Sequence, residues 1–276
     1  MRPWTDERID ALSVVTDAEM EEAIAAWEEA APAGFESLPF AVTQEQEEDD
    51  QTEEIVIGSL ALAASSLFAW DASRGVYIII ATQEVVRFET VRDITERVAQ
   101  RQLLAMETLS LRLQRGKISL AEWQLGMARQ IKVLHVNAMA LARGGWAQMS
   151  QSDWGFVGAK VKEQYKFLRN FGQQILNGEQ ALDGRMLVRT GMYEDAARGS
   201  YEEMRRRSER LYNNMEEERR ELGAADHCMD CLVYASLGWK PIGTLPRIGD
   251  SQCRTNCHCR FVFRRRTEES WVESEG

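Results

Sequence analysis

All five cysteines of this 276-residue chain lie between Cys228 and Cys259, and three of them fall in one short run, "CRTNCHC" from Cys253 to Cys259. Around them, in "DHCMDCLVYASLGWKPIGTLPRIGDSQCRTNCHCRFVFRRR", glycine and proline replace helical periodicity. A segment of about forty residues buries little apolar surface alone and takes a fixed shape only with cross-links or a bound metal.

Cys228 and Cys231 form a Cys-x-x-Cys pair, the spacing at which a tight turn points two thiolates at one ion. Cys257 and Cys259 form a second pair. Alternate residues of an extended segment face the same side, so these two side chains converge while His258 points away. Cys228, Cys231, Cys257 and Cys259 together make a closed tetrahedral site for structural zinc. The 25 residues between Cys231 and Cys257 then form a loop, turned by "PIG" and "LPRIG" and anchored by Trp239. Cys253 is an alternative ligand that can replace either member of the second pair. His227 and His258 are further donors, although His227 adjoins Cys228 and is poorly placed to share an ion with it.

Disulfides are the rival reading: four cysteines pair and one stays free, which requires maturation outside a reducing cytosol. Nucleophilic catalysis has little to draw on. Of the three histidines only His135 lies outside the cysteine segment, and within "IKVLHVNAM" it reads as a partly buried helix residue and not a catalytic base. Thiolate-rich zinc is structural, whereas catalytic zinc keeps an open position and takes histidine or carboxylate ligands. No glycine-rich phosphate loop and no His-Glu-x-x-His run occurs.

A hydrophobic fraction of 44% with 28% charged residues is that of a soluble globular protein. The longest apolar stretch, "IVIGSLALAASSLFAW" from Ile55 to Trp70, is too short to span a membrane and reads as a buried helix. The opening "MRPWTDERIDALSVV" does not resemble a secretory signal. Charge is unevenly spread: residues 1–54 hold 17 acidic side chains against 2 arginines, net −15, so the rest of the chain carries net +4 of the total −11. Net charge therefore does not mark a nucleic-acid binder.

Four segments are expected: an acidic front and linker over 1–54, a helical body over 55–221, a cysteine-rich zinc-type module over 222–266 and a tail over 267–276. In the front, a helix is expected over about Asp17–Ala31, and "TQEQEEDDQTEE" (Thr43–Glu54) reads as an exposed linker. "VYIIIATQEVV" is the best strand signal. Helices follow over Phe88–Arg115, with Val91, Ile94, Val98, Ala105 and Leu109 on one stripe, and after a capping box at Ser119 and Glu122, with Leu120, Trp123, Met127, Ile131, Leu134 and Ala138 facing inward. A third helix is expected over about Gly155–Asn177, carrying Val157, Val161, Leu168, Phe171 and Ile175. A fourth, more charged, is expected over about Gly184–Arg220, with Met186, Met192, Tyr193, Tyr201, Met204 and Leu211 among its apolar positions. The fold class is thus mainly α: an irregular helical bundle with a small strand element and a zinc-stabilised, loop-rich C-terminal module.

The Cys-x-x-Cys of Cys228 and Cys231, the spacer "GWKPIGTLPRIG" and the closing Cys-x-Cys of Cys257 and Cys259 resemble the carboxyl end of phage head morphogenesis proteins, the phage Mu F-like minor head family. The helical segments "GKISLAEWQLGMARQIKVLHVNAMALARGGW", "VKEQYKFLRNFGQQILNG" and "MYEDAARGSYE" extend the resemblance to roughly Trp70–Arg264. The family often has histidine shortly before the final pair, where this chain has Cys253. The resemblance implies a non-enzymatic virion or assembly component. It would be present in several copies around a portal ring, assembled in the host cytoplasm and found in the virion, with the portal and capsid proteins as partners. Its role would lie in head assembly and in DNA packaging or release. Arg205, Arg206, Arg207 and the run including Arg260, Arg264, Arg265 and Arg266 are candidates to touch packaged DNA, against the plainer reading of a solvated helix face and tail.

Two other readings compete. One is a zinc-ribbon nucleic-acid adaptor, in which the closing arginines work beside Phe261 and Phe263 as base-stacking platforms. The other is a virion-carried zinc hydrolase or toxin, which lacks an identifiable base.

Overall fold

The computed structural model describes residues 68–266 apart from 72, 73, 75 and 81. The expected helix over Asp17–Ala31, the linker over Thr43–Glu54 and the tail over 267–276 lie outside the described residues. Within them the protein is mainly helical, with five α-helices, two small antiparallel sheets and a C-terminal cysteine cluster. No helix among the described residues is long and apolar enough to cross a membrane. The chain divides into two compact units between Glu194 and Asp195.

In the first unit, β1 (Phe68–Asp71), β2 (Val76–Ile79) and β3 (Val85–Val86) form an antiparallel sheet in that order. Phe68, Ala69 and Trp70 are therefore strand residues and not the end of the apolar helix expected over Ile55–Trp70, whose earlier part lies outside the described residues. The reason is local pairing: the turn after Asp71 brings Phe68 opposite Ile79 and Trp70 opposite Tyr77, and Trp70 and Tyr77 stack edge to face with centroids 5.0 Å apart. The single strand expected over "VYIIIATQEVV" is instead β2 and β3 joined by a tight turn. Gln83 adopts a left-handed φ of 58° there, and its N–H donates to the Ile79 carbonyl at 2.8 Å.

Helix α1 (Phe88–Gln114) buries Val91, Val98, Ala105 and Leu109. Helix α2 (Leu120–Arg143) opens with the expected capping box: the Glu122 N–H donates to Ser119 Oγ at 3.2 Å, and the Ser119 N–H to the Glu122 carboxylate at 2.6 Å. It packs against both α1 and α3 (Gln151–Leu176), which is why nearly every residue from Gln130 to Ala142 is buried. Helix α3 starts earlier than the expected Gly155 because a second capping box, Ser150 with Asp153, fixes its first turn. Between α2 and α3, Gly144 and Gly145 both take φ of 108°. A Cβ at Gly145 would sit 2.0 Å from the Phe68 carbonyl oxygen, so only glycine lets β1 approach the end of α2.

Helix α4 (Gly184–Leu211) buries Met186, Tyr193 and Met204 as expected, while Met192 and Leu211 are exposed. It does not run to Arg220. Asn214 takes a left-handed φ of 53°, and the chain turns into β4 (Glu217–Glu221). The helical charge pattern read there is a strand pattern, since alternate residues Glu218 and Arg220 are fully buried and the strand finds an antiparallel partner late in the chain.

In the second unit, β4 is the central strand between β5 (Lys240–Pro241) and β6 (Arg260–Arg264). Helix α5 (Met229–Ser236) packs on β4. The core is small and consists of Cys231, Leu245, Ile248, Cys257, Cys259 and Phe261, with Cys228, Cys253 and Phe263 packed against it. Three of the six core residues are cysteines.

Candidate metal centre

Cys228 caps the N-terminus of α5 in an extended conformation, and Cys231 follows within the first turn. One helical turn places the two thiols on the same face. The second contributor is the segment after the 3₁₀ turn Arg254–Asn256: Cys253 precedes the turn, and Cys257 leaves it in an extended conformation. Cys257 and Cys259 are buried and the intervening His258 is exposed, the alternation read from sequence. Hydrogen bonding ties the two contributors together, because the Gln252 N–H donates to Asp230 Oδ2 at 2.9 Å.

All five thiols are free and gather around Cys231, which is completely buried. Cys231, Cys257 and Cys259 have sulfurs mutually within 4.8 Å, and so do Cys228, Cys231 and Cys253. Cys231 Sγ lies 3.6 Å from Cys257 Sγ and 3.8 Å from Cys253 Sγ. Tetrahedral zinc with Zn–S bonds of about 2.3 Å sets sulfurs roughly 3.8 Å apart, whereas a disulfide holds them at about 2.05 Å. The spacing is compatible with ligands to a shared ion. The four thiols expected from sequence are all present, but Cys228 groups with Cys231 and Cys253 and not with the Cys257 and Cys259 pair. Cys253 thus stands as close to the centre as Cys228 does.

Burial acts unequally on the thiols. Burial pushes the Cys231 and Cys259 thiols up, while Cys228, hydrogen-bonded to Cys253, is held down to about 6. Several thiolates do not share so small a buried volume unless a positive ion offsets them. The donor set is soft, with borderline nitrogen nearby, which suits zinc and other thiophilic divalent ions.

Three neighbours adjoin the thiols: His227, a further donor in the sequence reading, and Ser251 and Arg220, which the sequence does not single out. His227 donates from Nε2 to the Gly223 carbonyl at 2.8 Å, and its Nδ1 lies 3.9 Å from Cys259 Sγ. It reaches Cys259 although it adjoins Cys228. Ser251 Oγ is 3.6 Å from Cys231 Sγ. Arg220 donates from Nη1 to Cys231 Sγ at 3.8 Å. Nothing in the spacing of a distant strand arginine announces that contact.

His258 turns away and meets Arg198, Nδ1 to Nη1 at 2.7 Å. His135 lies in α2, wholly buried, with its imidazole pushed down to about 3 by burial and then by Lys160. It is a packing residue, more deeply placed than sequence implied.

Five of the seven arginines named as candidates to meet DNA, Arg205, Arg206, Arg260, Arg264 and Arg266, are paired with carboxylates. Arg260 Nη2 bonds Glu221 Oε2 at 2.9 Å, and Arg264 Nε bonds Glu217 Oε2 at 2.7 Å. Arg266 lies 3.8 Å from Glu217, and Arg265 is exposed. Arg205 donates to the Phe261 carbonyl and Arg206 to Glu218, and Arg207 is half-buried. Phe261 is fully buried in the core, so it is not a platform for base stacking. Trp239, expected as a hydrophobic anchor, is half-buried with the guanidinium carbons of Arg219 and Arg264 at 5.0 Å and 4.4 Å from its ring. No protein-family profile, no curated protein and no solved structure matches the chain.

Proposed function

We propose that this chain is a phage head-morphogenesis component of the minor head type, a non-enzymatic assembly protein whose C-terminal unit is a zinc-locked docking module. The observation that carries the reading is the convergence of the cysteine cluster: the thiols gather on a buried Cys231 and pack with the core residues Leu245, Ile248 and Phe261. Such a site fixes shape and offers no open position for a reacting water. Supporting it are the cysteine spacings and helical segments that resemble the phage family, and the ordering of "PIG" and "LPRIG" around the site by Glu218, which accepts from the Gly243 and Leu245 N–H groups. Pairing of Arg260 and Arg264 with β4 carboxylates favours protein docking over phosphate contact as the task of this face.

The test is quantitative mass spectrometry of gradient-purified virions and procapsids from the source of this gene, counting this chain against the portal protein. A few copies tracking the portal are expected. Absence from both particles overturns the assignment.

A further inference from the structure

Arg220 is an unusual residue for its position. It lies in the middle of β4, 1% exposed, directly across from Phe261 in the β4–β6 ladder and two residues in sequence from buried Glu218. Its guanidinium sits among aromatic rings, 4.9 Å from Tyr234 and 5.6 Å from Phe261. Arginine stays protonated in any protein environment, so a full positive charge is held inside this small core.

Neighbouring arginines of the sheet are each balanced by a carboxylate: Arg219 and Arg260 by Glu221, Arg264 by Glu217, and Arg206 of α4 by Glu218. Arg220 has no carboxylate partner among the described residues. Its Nη2 donates to the carbonyls of Pro246 and Arg247, and Nη1 donates to Cys231 Sγ. Carbonyls satisfy N–H groups without neutralising the charge, and an uncompensated buried ion costs several kcal/mol. Cys231 supplies the one group in that set able to become an anion. Its sulfur is also the one common to both thiol groupings.

We infer that Arg220 is the internal counter-charge of the metal–thiolate centre, a positioning residue that donates an N–H···S bond to Cys231 and offsets the excess negative charge of thiolates around a divalent cation. This inference rests on the metal reading above. It explains two features at once. Thiolates around one divalent ion outnumber its charge, and a buried cation on the sheet side restores the balance. Arg220 in turn gains the anion its burial demands. Through its carbonyl contacts the same side chain fastens the loop at Pro246 and Arg247 over the site, so charge compensation and loop closure are one device. Outer contacts of this kind orient ligands and typically account for about 10–100-fold in metal affinity.

The experiment uses the full chain loaded with zinc, in the natural form and as Arg220→Gln and Arg220→Lys. Glutamine keeps an N–H donor for the carbonyls and removes the charge; lysine keeps the charge. Zinc affinity is read by chelator competition, thiolate nucleophilicity by the rate of iodoacetamide alkylation of the loaded protein, and the N–H···S bond by the sulfur-to-metal charge-transfer band after cobalt substitution. Arg220→Gln is expected to bind zinc about 10–100-fold more weakly, to alkylate faster and to shift the band to lower energy, with Arg220→Lys between it and the natural protein. A merely structural arginine would leave the band in place.

Unchanged affinity, alkylation rate and band in Arg220→Gln overturn the inference while leaving the metal reading intact. A natural chain that binds no zinc or cobalt overturns both. Should Arg220→Gln fail to fold, the unaltered chain decides after cadmium-113 substitution: a through-bond correlation between an arginine Nη proton and the cadmium nucleus supports the contact, and its absence overturns it.

Discussion

Arg206 and Glu218 meet in a two-point ion pair, Nε to Oε2 and Nη2 to Oε1, both at 2.6 Å, with the Glu218 side chain wholly buried. The pair joins α4 to β4 and extends further: Glu218 Oε1 also accepts from Gly243 and Leu245, and Arg206 Nη2 also donates to the Leu245 carbonyl at 2.8 Å. Arg206 lies over the Phe261 ring at 4.1 Å as well. One carboxylate therefore organises the loop that leads toward the cysteines. Glu218→Gln and Arg206→Ala are each expected to destabilise the second unit by about 3–5 kcal/mol, because each leaves a buried charge unpaired. Hydrogen exchange of β4 and of residues 243–245 in the full chain measures it; protection equal to that of the natural protein refutes the assignment.

Metal content is the next expectation. Purified protein should hold close to one zinc per chain, and Cys257→Ser should lose it and become protease-sensitive between β4 and β6. Because Cys231 belongs to both thiol groupings, Cys231→Ser should lose zinc more completely than Cys228→Ser or Cys253→Ser, each of which leaves the other as a substitute. Elemental analysis of the four variants tests the order. Equal zinc loss in Cys228→Ser, Cys253→Ser and Cys231→Ser would mean that Cys231 has no special place.

Acid should weaken the helical body through His135. Its folded-state pKa is depressed from 6.5 to about 3, first by burial and then by Lys160. A depressed pKa means the unfolded chain takes up the proton first, so the stabilisation is complete above about pH 6.5 and is lost as pH falls toward 3. The slope for one proton is about 1.4 kcal/mol per pH unit. Urea unfolding from pH 7 to pH 4 should show a stability difference between the natural protein and His135→Gln that shrinks by that slope. A pH-independent difference would remove His135 from the account.

The arginines of β6 make a salt-dependent expectation. With Arg260 and Arg264 already held by Glu221 and Glu217, the natural protein should bind duplex DNA weakly at physiological salt. The double variant Glu217→Gln, Glu221→Gln frees both cations and should bind more tightly, with a steeper dependence of log K on log salt. Tight binding by the natural protein with an already steep slope would put the adaptor reading ahead of the docking one.

The features legible in the sequence were those set by neighbours a few residues away. Ser119 and Glu122 specify a helix start because their side chains reach backbone donors within one turn, and the structure has that capping box. Trp123, Met127, Ile131 and Leu134 specify a buried helix face by period alone, and all are buried. Cys257 and Cys259 flank an exposed His258 because alternation is a property of extended backbone. Where local cues misled, a distant partner had won. Residues 217–221 carry charges that suit a helix, but they form a strand because β6, more than thirty residues later, supplies the hydrogen-bond ladder and the matching arginines. Phe68 to Trp70 leave an apolar stretch for a strand because Val76 to Ile79 lie ready to pair.

The cysteine cluster shows the same division. Sequence by itself determined that thiols would converge, since a turn and an extended pair each aim two sulfurs to one side. Tertiary structure alone decided that Cys231 would be their common member, that Cys253 would stand as near as Cys228, and that Arg220 would reach the cluster from a strand. Local spacing constrains direction, while a shared centre is a meeting of segments whose separation only the folded chain closes.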